Sequence, residues 1–178
     1  LAGKGVFYGA ARSDAATVHG LDILMEAMER VRAEGIPVEL TCVSRPGEEP
    51  PAPHPDWLHV VRGSGTEIHA VLPEVIATVT PRRRSPYNDL GVPVKVMEYL
   101  SYGRPLLVTD CTETARIVND AGAGLVVHDS TDALANGIRR LFTAPPDQLD
   151  AWSEAARQAA ARESWASRAQ RVLELLLA

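Results

Sequence analysis

The sequence predicts an α/β fold in which helices cover both faces of a doubly wound, Rossmann-like parallel sheet of about six strands. Three observations support this prediction. Short apolar runs alternate along the chain with longer segments of helical period. All but one of the runs are followed by a helix, and such crossovers join parallel strands and favour the strand order 3-2-1-4-5-6. The 178 residues, of which 46% are hydrophobic, suffice for one domain with a sizeable core.

The first half of the chain contains four predicted strands and two predicted helices. Each strand is a short apolar run, whereas each helix carries its apolar residues on one face. In the first helix, Leu21, Leu24, Met28 and Val31 recur at helical spacing. Segment 44–56 holds five prolines and is therefore predicted to be a loop. The strands are predicted at 5–9, 38–43, 57–61 and 75–80, and the helices at 19–33 and 66–72.

The second half continues this alternation and then becomes helical throughout. Segment 82–92 is polar, basic and rich in turn residues, so it is predicted to be a loop. Pro93 suits the first position of the next helix, because that position needs no N–H. From residue 147 the chain is alanine-rich, and we expect a helical extension of the same domain with a break near Ser164. The strands are predicted at 106–109 and 125–127, and the helices at 93–102, 112–119, 132–142 and 147–178.

Composition and charge exclude several classes of protein. With 18 basic and 23 acidic residues and a net charge of -5, the chain has no bulk affinity for nucleic acid. No apolar stretch approaches the roughly 20 residues that span a bilayer, and no secretory signal opens the sequence. We therefore expect a cytoplasmic protein. Cys42 and Cys111 lack CxxC spacing and histidine-rich neighbours, which favours two free thiols.

The predicted topology already indicates where a ligand binds. In a doubly wound sheet, ligands lie beyond the carboxyl ends of strands one and four, where the strand order reverses. The loops at this place are 9–18 and 81–92, and the second contains the cluster Arg82-Arg83-Arg84. The helix that starts at Pro93 directs its N-terminus there, and free N–H groups at a helix start attract phosphate. A phosphate-bearing anion is the expected ligand.

Several common nucleotide and catalytic motifs are missing from the sequence. There is no GxGxxG after the first strand and no GxxxxGK[ST], which disfavours dinucleotide dehydrogenases and P-loop NTPases. The first strand ends Tyr8-Gly9-Ala10 and lacks the paired acidic residues of a phosphoacceptor receiver domain. A GxSxG nucleophile elbow and an HExxH zinc motif are missing too, so a zinc site is not expected.

The segment from Pro93 to Asp110 carries a family resemblance. Its sequence, PVKVMEYLSYGRPLLVTD, is a helix with lysine and glutamate in its first turns and then a Gly-x-Pro turn into a strand. It resembles the signature of the retaining nucleotide-sugar glycosyltransferases of the GT-B fold (glycosyl transferases group 1, family four). Shorter matches extend the resemblance across almost the whole chain, and they are Phe7-Tyr8-Gly9, His19-Gly20-Leu21, Leu58-His59-Val60-Val61, Gly63, Gly122-Ala123-Gly124-Leu125-Val126-Val127 and Glu163-Ser164-Trp165.

The resemblance implies roles for individual residues. In the family, the glutamate at the position of Glu98 binds the ribose hydroxyls, and a carboxylate suits a vicinal diol because it accepts two hydrogen bonds. Lys95 either reaches a phosphate or pairs with Glu98. The N–H groups of Val94 and Lys95 are better phosphate ligands than the lysine side chain, since the helix fixes their geometry. Gly9 ends the first strand beside the donor. No metal or cofactor is expected, because the helix dipole and basic groups neutralise the departing diphosphate.

The first departure from the family concerns the basic pair that binds the donor diphosphate. Ala10 and His19 stand at those two positions. Arg12, a protonated His19 and the arginine cluster around Arg83 are the candidate substitutes. The alternative for Arg12 is a solvated loop charge. The alternative for the arginine cluster is a hydrated basic turn or a peripheral contact with an anionic membrane.

The second departure concerns the earlier acidic residue of the family's glutamate-x7-glutamate pattern. Leu90 stands eight positions before Glu98 and cannot hydrogen-bond a sugar hydroxyl. Asp89 is the nearest carboxylate and is the candidate replacement. The binding mode of the donor sugar, and full activity with it, therefore stay open at this point.

The leading hypothesis is the donor-binding half of a glycosyltransferase, inactive alone. The chain begins at Leu1 without an initiating Met, and we expect the acceptor site in an N-terminal domain of the same protein. The apolar residues of the last helix are expected to face that domain. A catalytically degenerate nucleotide-sugar-binding module is the alternative, favoured by the departures. A sugar-nucleotide epimerase of the same fold is less favoured, because no acid/base residues stand out. The sequence does not identify the nucleotide base, the donor sugar or the acceptor.

Overall fold

The computed structural model describes residues 5–9, 19–47, 49–50, 52–63, 65–91, 94–162 and 164–177. In these ranges the strands are β1 Gly5–Gly9, β2 Glu39–Ser44, β3 Leu58–Arg62, β4 Val75–Thr80, β5 Leu106–Thr109 and β6 Gly124–Val127. The helices are α1 Leu21–Ala33, α2 Gly65–Val71, α3 Pro86–Leu90, α4 Val94–Ser101, α5 Thr112–Ala121, α6 Thr131–Thr143, α7 Pro146–Arg162 and α8 Trp165–Leu177. A short 3₁₀ turn, Leu72–Glu74, leads into β4.

The six strands form one parallel sheet in the order β3-β2-β1-β4-β5-β6. This order confirms the prediction of a doubly wound sheet. β1 lies between β2 and β4, with Gly9 opposite Val43 at the carboxyl end of β2. The strand order reverses at β1, so the connections leaving β1 and β4 diverge and open a crevice at this edge of the sheet.

Helices cover both faces of the sheet and bury two apolar layers. On one face α1 packs against α6, and Leu24 and Met28 of α1 are fully buried with Ile138 of α6. On the other face α4 packs against α7, and Tyr99 of α4 is almost fully buried in the layer. Burying a leucine or methionine side chain stabilises a fold by about 1.5–3 kcal/mol. Every residue of β4 is buried, as expected for a central strand with helices on both sides.

The structure contains one helix that the sequence analysis places in a loop, which is α3. Ser85 caps this helix, since its Oγ accepts the N–H of Asn88 at 3.1 Å, and Pro86 occupies the first helical position. A Ser-Pro pair is a helix-start signal, but the three arginines before it and Gly91 after it favour a loop. The other described elements begin and end within a few residues of their predicted bounds. Pro93 lies outside the described residues.

The C-terminal segment forms two helices, α7 and α8, on either side of the predicted break at Ser164. α7 packs on α4 and α5. α8 instead exposes several apolar side chains to solvent, and Leu177 is 85% exposed. These side chains are Val172, Leu173, Leu175, Leu176 and Leu177. Among the described helices, none has the length and apolar character needed to cross a membrane.

Candidate functional site

The candidate site lies at the sheet edge where β1 and β4 end, at Gly9 and Thr80. Because helices that follow parallel strands begin at this edge, the N-termini of α1 and α4 both lie there. Val94, the first residue of α4, is 78% exposed, so the first turn of α4 is open to a ligand. The candidate residues Ala10 and Arg12 lie outside the described residues.

Gly20 brings the start of α1 against the backbone of the loop that follows β4. It is the N-cap of α1 and has a φ of 73°, in the left-handed region that favours glycine. A Cβ atom at this position would lie 1.6 Å from the carbonyl oxygen of Pro81, which leaves no room for any side chain. The start of α1 is therefore in direct contact with the loop after β4, and His19 directly precedes this contact.

His19 lies among positive charges from two other segments. Burial, and then the charges of Arg82 and Lys95, lower the pKa of His19 from its ordinary value of 6.5. The start of α1, the loop after β4 and the first turn of α4 thus bring cationic groups together. A protonated His19 is one predicted substitute for the family's basic pair, and the lowered pKa disfavours that protonated form in the free protein. The neutral imidazole still offers one N–H to a ligand.

The three arginines of the cluster have different surroundings. Arg83 donates from Nη2 to Asp22 Oδ2 at 2.6 Å, in the first turn of α1. Arg84 donates from Nε and Nη2 to the two carboxylate oxygens of Asp89, each at 3.2 Å. Within the part of the chain that the structure describes, Arg82 has no carboxylate partner. The arginine whose charge reaches His19 is therefore Arg82, whereas the sequence analysis singled out Arg83.

Asp89 joins α3 to the start of α5. Besides the contact with Arg84, its Oδ1 accepts the backbone N–H of Thr112 at 3.1 Å. The hydrogen bonds from Arg84, together with that from Thr112, lower the pKa of Asp89. The candidate carboxylate for the donor sugar thus already binds two partners. Leu90, its neighbour, is 83% exposed and offers an apolar surface at the same place.

Glu98 lies on the exposed side of α4, one turn after Lys95, which is exposed as well. Its Oε1 accepts a hydrogen bond from the hydroxyl of Tyr102 at 2.5 Å. Val94, Lys95 and Glu98 are thus brought together within the first two turns of one helix. This arrangement places an anion-binding N-terminus beside a carboxylate that can accept hydrogen bonds from hydroxyl groups.

Two further side chains belong to the site's surroundings, although the sequence analysis assigns them no role. Tyr102 was not predicted, although a tyrosine four residues after Glu98 on one helix is a local signal for this contact. Asp110 follows β5 at the same edge, and its buried Oδ1 has no hydrogen-bond partner among the described residues. A carboxylate directly after a strand of the sheet is the signal that could have identified Asp110.

The loop after β4 is fastened by partners from several elements. The hydroxyl of Thr109, at the end of β5, donates to the carbonyl oxygen of Arg82. Asn88 donates from Nδ2 to the carbonyl oxygen of Arg83 at 2.7 Å. The backbone N–H of Arg84 donates to Asp129 Oδ2 at 2.7 Å, just beyond β6. Three consecutive residues of this loop are thus fixed through their main chain.

Both cysteines are buried free thiols. Burial raises the pKa of Cys42 to about 12, although Lys95 acts in the opposite direction. Burial also raises the pKa of Cys111. In the described ranges, no group of three or more His, Cys, Asp or Glu side chains has the arrangement to hold a metal ion.

A family model described as Glycosyl transferases group 1 matches residues 4–144. The matched range contains the whole sheet and every described helix through α6, and it ends before α7. Comparison with curated proteins by sequence returns no match.

Solved structures of the same fold cover nearly the whole chain. The trehalose 6-phosphate synthase of Burkholderia multivorans is 15% identical with a TM-score of 0.71, over 98% of this chain and 42% of that one. A glycosyltransferase of Rickettsia africae is 14% identical with a TM-score of 0.73, and the match covers 98% of this chain and 47% of that one. The sucrose-phosphate synthase of Thermosynechococcus elongatus is 19% identical with a TM-score of 0.70, and the match covers 99% of this chain and 45% of that one. At these identities the likeness shows the fold, which is that of GT-B glycosyltransferases. The chain spans less than half the length of each of the three.

Proposed function

The chain belongs to the family Glycosyl transferases group 1, and we propose that it is the donor-binding half of an enzyme that transfers a sugar from a nucleoside diphosphate sugar to an acceptor with retention. The observation that carries the proposal is the convergence of Arg82, Lys95 and His19 at the crevice between β1 and β4. This is the place where a doubly wound sheet binds its ligand.

The convergent charges suit a diphosphate leaving group. When the bond between the sugar and the diphosphate breaks, negative charge develops on the departing phosphate oxygen. Arg82 and Lys95, with the free N–H groups of the first turn of α4, stabilise that charge where it develops. His19 contributes a neutral N–H donor, and binding of the anion favours its protonation.

Glu98 supplies the second part of the donor site. Its carboxylate lies one turn along α4 from the phosphate-binding end, which is the order of ribose and diphosphate in a nucleoside diphosphate. A carboxylate that accepts hydrogen bonds from both ribose hydroxyls distinguishes a ribonucleotide from other phosphate esters. The combination of a cationic crevice with Glu98 therefore favours a nucleoside diphosphate over a simple phosphate.

The acceptor would bind in a second domain of the same protein, across the crevice from α4. The exposed apolar side of α8, which includes Leu173 and Leu176, supports a partner of this kind, because an apolar helix face gains free energy when another surface covers it. The chain's coverage of under half of each similar structure supports the same arrangement.

The test is calorimetric titration of the 178-residue chain with UDP, GDP and ADP. We expect at least one of them to bind with a Kd below about 1 mM, an affinity of about 4 kcal/mol. Glu98→Gln should weaken that binding by about tenfold, because hydrogen bonds to charged groups contribute about 1.5–3 kcal/mol.

Glu113→Gln is the matched control, since Glu113 is also a helix-surface glutamate but lies on α5, where it pairs with Arg116. Its affinity should equal that of the parent chain. Absence of binding by all three nucleoside diphosphates, or equal affinities of Glu98→Gln and the parent chain, would overturn the proposal.

A second candidate function is a binding module that does not transfer the sugar. The observation that favours it is the engagement of the Asp89 carboxylate by Arg84 and Thr112, next to the exposed Leu90. If the full-length protein binds a nucleotide sugar, but transfers it neither to an acceptor nor to water, this second function replaces the first.

A further inference from the structure

Tyr102 is held in a fixed position beside Glu98. Its ring packs edge-on against His69 of α2 at a centroid distance of 5.9 Å and lies tilted against Tyr99 at 6.0 Å. Aromatic pairs at these distances have preferred geometries and restrict each other's rotation. The hydroxyl group is therefore presented to Glu98 from a ring that its neighbours orient.

The backbone fixes Tyr102 as well. Its N–H is shared between the carbonyl oxygens of Glu98 and Tyr99, each at 3.2 Å, as is common at the end of a helix. Gly103 follows with a φ of 60° and donates its N–H to Leu100 at 3.0 Å, which ends α4 in a left-handed turn. A side chain on Gly103 would collide with Arg157, at 2.8 Å from Cγ.

Glu98, by contrast, lies on an exposed helix surface, where an unattached glutamate samples many rotamers. A ligand that binds such a side chain must first order it, and this lowers the affinity. The bond from Tyr102 uses one lone pair of Oε1. A carboxylate offers about four acceptor sites, so the others suffice for two ribose hydroxyls.

Tyr102 also stays a hydrogen-bond donor across the working pH range. Burial, and then the hydrogen bond to Glu98, raise the pKa of the phenol. The proton thus remains on the tyrosine oxygen, which donates it to Oε1 of Glu98.

We infer that Tyr102 is a positioning residue for ribose recognition, which holds the Glu98 carboxylate in the orientation that receives the two hydroxyls of a nucleoside diphosphate. This inference rests on the proposed function, and it adds Tyr102 to the residues of the proposed donor site. The role belongs to the hydroxyl of Tyr102, because the hydroxyl makes the hydrogen bond to Glu98.

The test measures discrimination between ligands with and without ribose hydroxyls. The 178-residue chain and its Tyr102→Phe, Glu98→Gln and doubly substituted variants are titrated with UDP, GDP, ADP and their 2′,3′-dideoxy counterparts. Tyr102→Phe should weaken binding of the ribonucleotide by about threefold to tenfold, the range for one net hydrogen bond. The affinity of Tyr102→Phe for the dideoxy ligand should stay within about twofold of the parent chain. The doubly substituted variant should bind the ribonucleotide as weakly as Glu98→Gln alone.

Tyr87→Phe is the matched control, because Tyr87 is 77% exposed on α3 and its hydroxyl makes no described contact. Urea unfolding of Tyr102→Phe checks that the fold is kept. Equal affinities of Tyr102→Phe and the parent chain, or equal weakening for both ligand types, would overturn the inference. If Glu98→Gln itself has no effect, the proposed ribose site is wrong. If no ribonucleotide binds the parent chain, both are overturned.

Discussion

Arg83 Nη2 lies 2.6 Å from Asp22 Oδ2 and so joins the loop after β4 to the first turn of α1. Arg82, the preceding residue, instead contributes its charge at His19. Two adjacent arginines in one loop therefore have separate roles. The charge of the first acts on His19, and the second attaches the loop to a neighbouring helix.

This separation predicts different effects of two equivalent substitutions. Arg82→Gln should weaken binding of the nucleoside diphosphate by about tenfold or more, because a hydrogen bond between ions contributes about 1.5–3 kcal/mol. Arg83→Gln removes the same formal charge but should change the affinity by less than about threefold, since an exposed ion pair contributes about 0–1 kcal/mol. Calorimetric titration of both variants measures the difference. Equal losses would mean that only the overall charge of the loop matters.

Gly20 and Gly35 predict a contrast in stability. Both have a φ in the left-handed region, but a Cβ on Gly20 meets Pro81 whereas nothing lies within 4 Å of a Cβ on Gly35. Gly35→Ala should therefore lower the free energy of unfolding by about 1 kcal/mol, the conformational cost alone. Gly20→Ala should lower it by about 3 kcal/mol or more, because the backbone must move too. Urea denaturation gives both values. Equal losses would show that the close approach of Gly20 to Pro81 does not affect the free energy of unfolding.

His19 predicts a pH dependence of stability. Its pKa is lowered in the folded chain, so between that value and the unfolded pKa of about 6.5 the unfolded state binds more protons. The free energy of unfolding should therefore decrease as the pH falls through about 6.5. Carboxylates contribute little there, because they titrate near pH 4. His19→Gln should reduce this slope in urea denaturation between about pH 7.5 and about pH 5.5, and an unchanged slope would refute the assignment.

Asp89 predicts a structural loss at the junction of α3 and α5. Asp89→Asn weakens the contacts with Arg84 and Thr112 together, and it should lower the Tm of the chain. Asp120→Asn is the control, since Asp120 makes one exposed ion pair along α5 and should leave the Tm nearly unchanged. The pKa of Asp89 is lowered, so its contribution is present above pH 4 and is lost as the pH falls through the folded value. A smaller loss for Asp89→Asn than for Asp120→Asn would contradict this role.

The apolar surface of α8 predicts a contrast between two leucines. Leu141 in α6 is 1% exposed, and Leu141→Ala should cost about 2–5 kcal/mol of unfolding free energy. Leu176 in α8 is 76% exposed, and Leu176→Ala should change stability by less than about 0.5 kcal/mol. Urea denaturation compares the two, and a large cost at Leu176 would show that α8 is packed on this domain.

The sequence predicts the sheet order and most elements because these depend on local patterns. The apolar run of β4 and the helical spacing of Leu24 and Met28 can be recognised without knowing which elements pack against them. α3 is missed because its capping signal at Ser85 is short and lies between residues that favour turns. Tertiary context decides such a segment, and local composition does not show it.

The candidate site is only partly predictable for the same reason. Topology and the helix beginning near Val94 indicate the edge of the sheet at which the candidate residues lie. The partners of the arginines do not follow from spacing, because Asp22 lies 61 residues from Arg83. The protonation of His19 likewise depends on burial and on charges from two other segments, which the sequence does not specify.

The fastening of the loop after β4 has a consequence for the rate and cost of ligand capture. Thr109, Asn88 and Asp129 hold the main chain of Arg82, Arg83 and Arg84 before any ligand arrives. A loop that is already ordered loses little conformational entropy on association, so more of the electrostatic attraction remains as net affinity. For the proposed nucleoside diphosphate donor, capture on this side of the crevice would then be an encounter with a preformed surface, without a slow closing step.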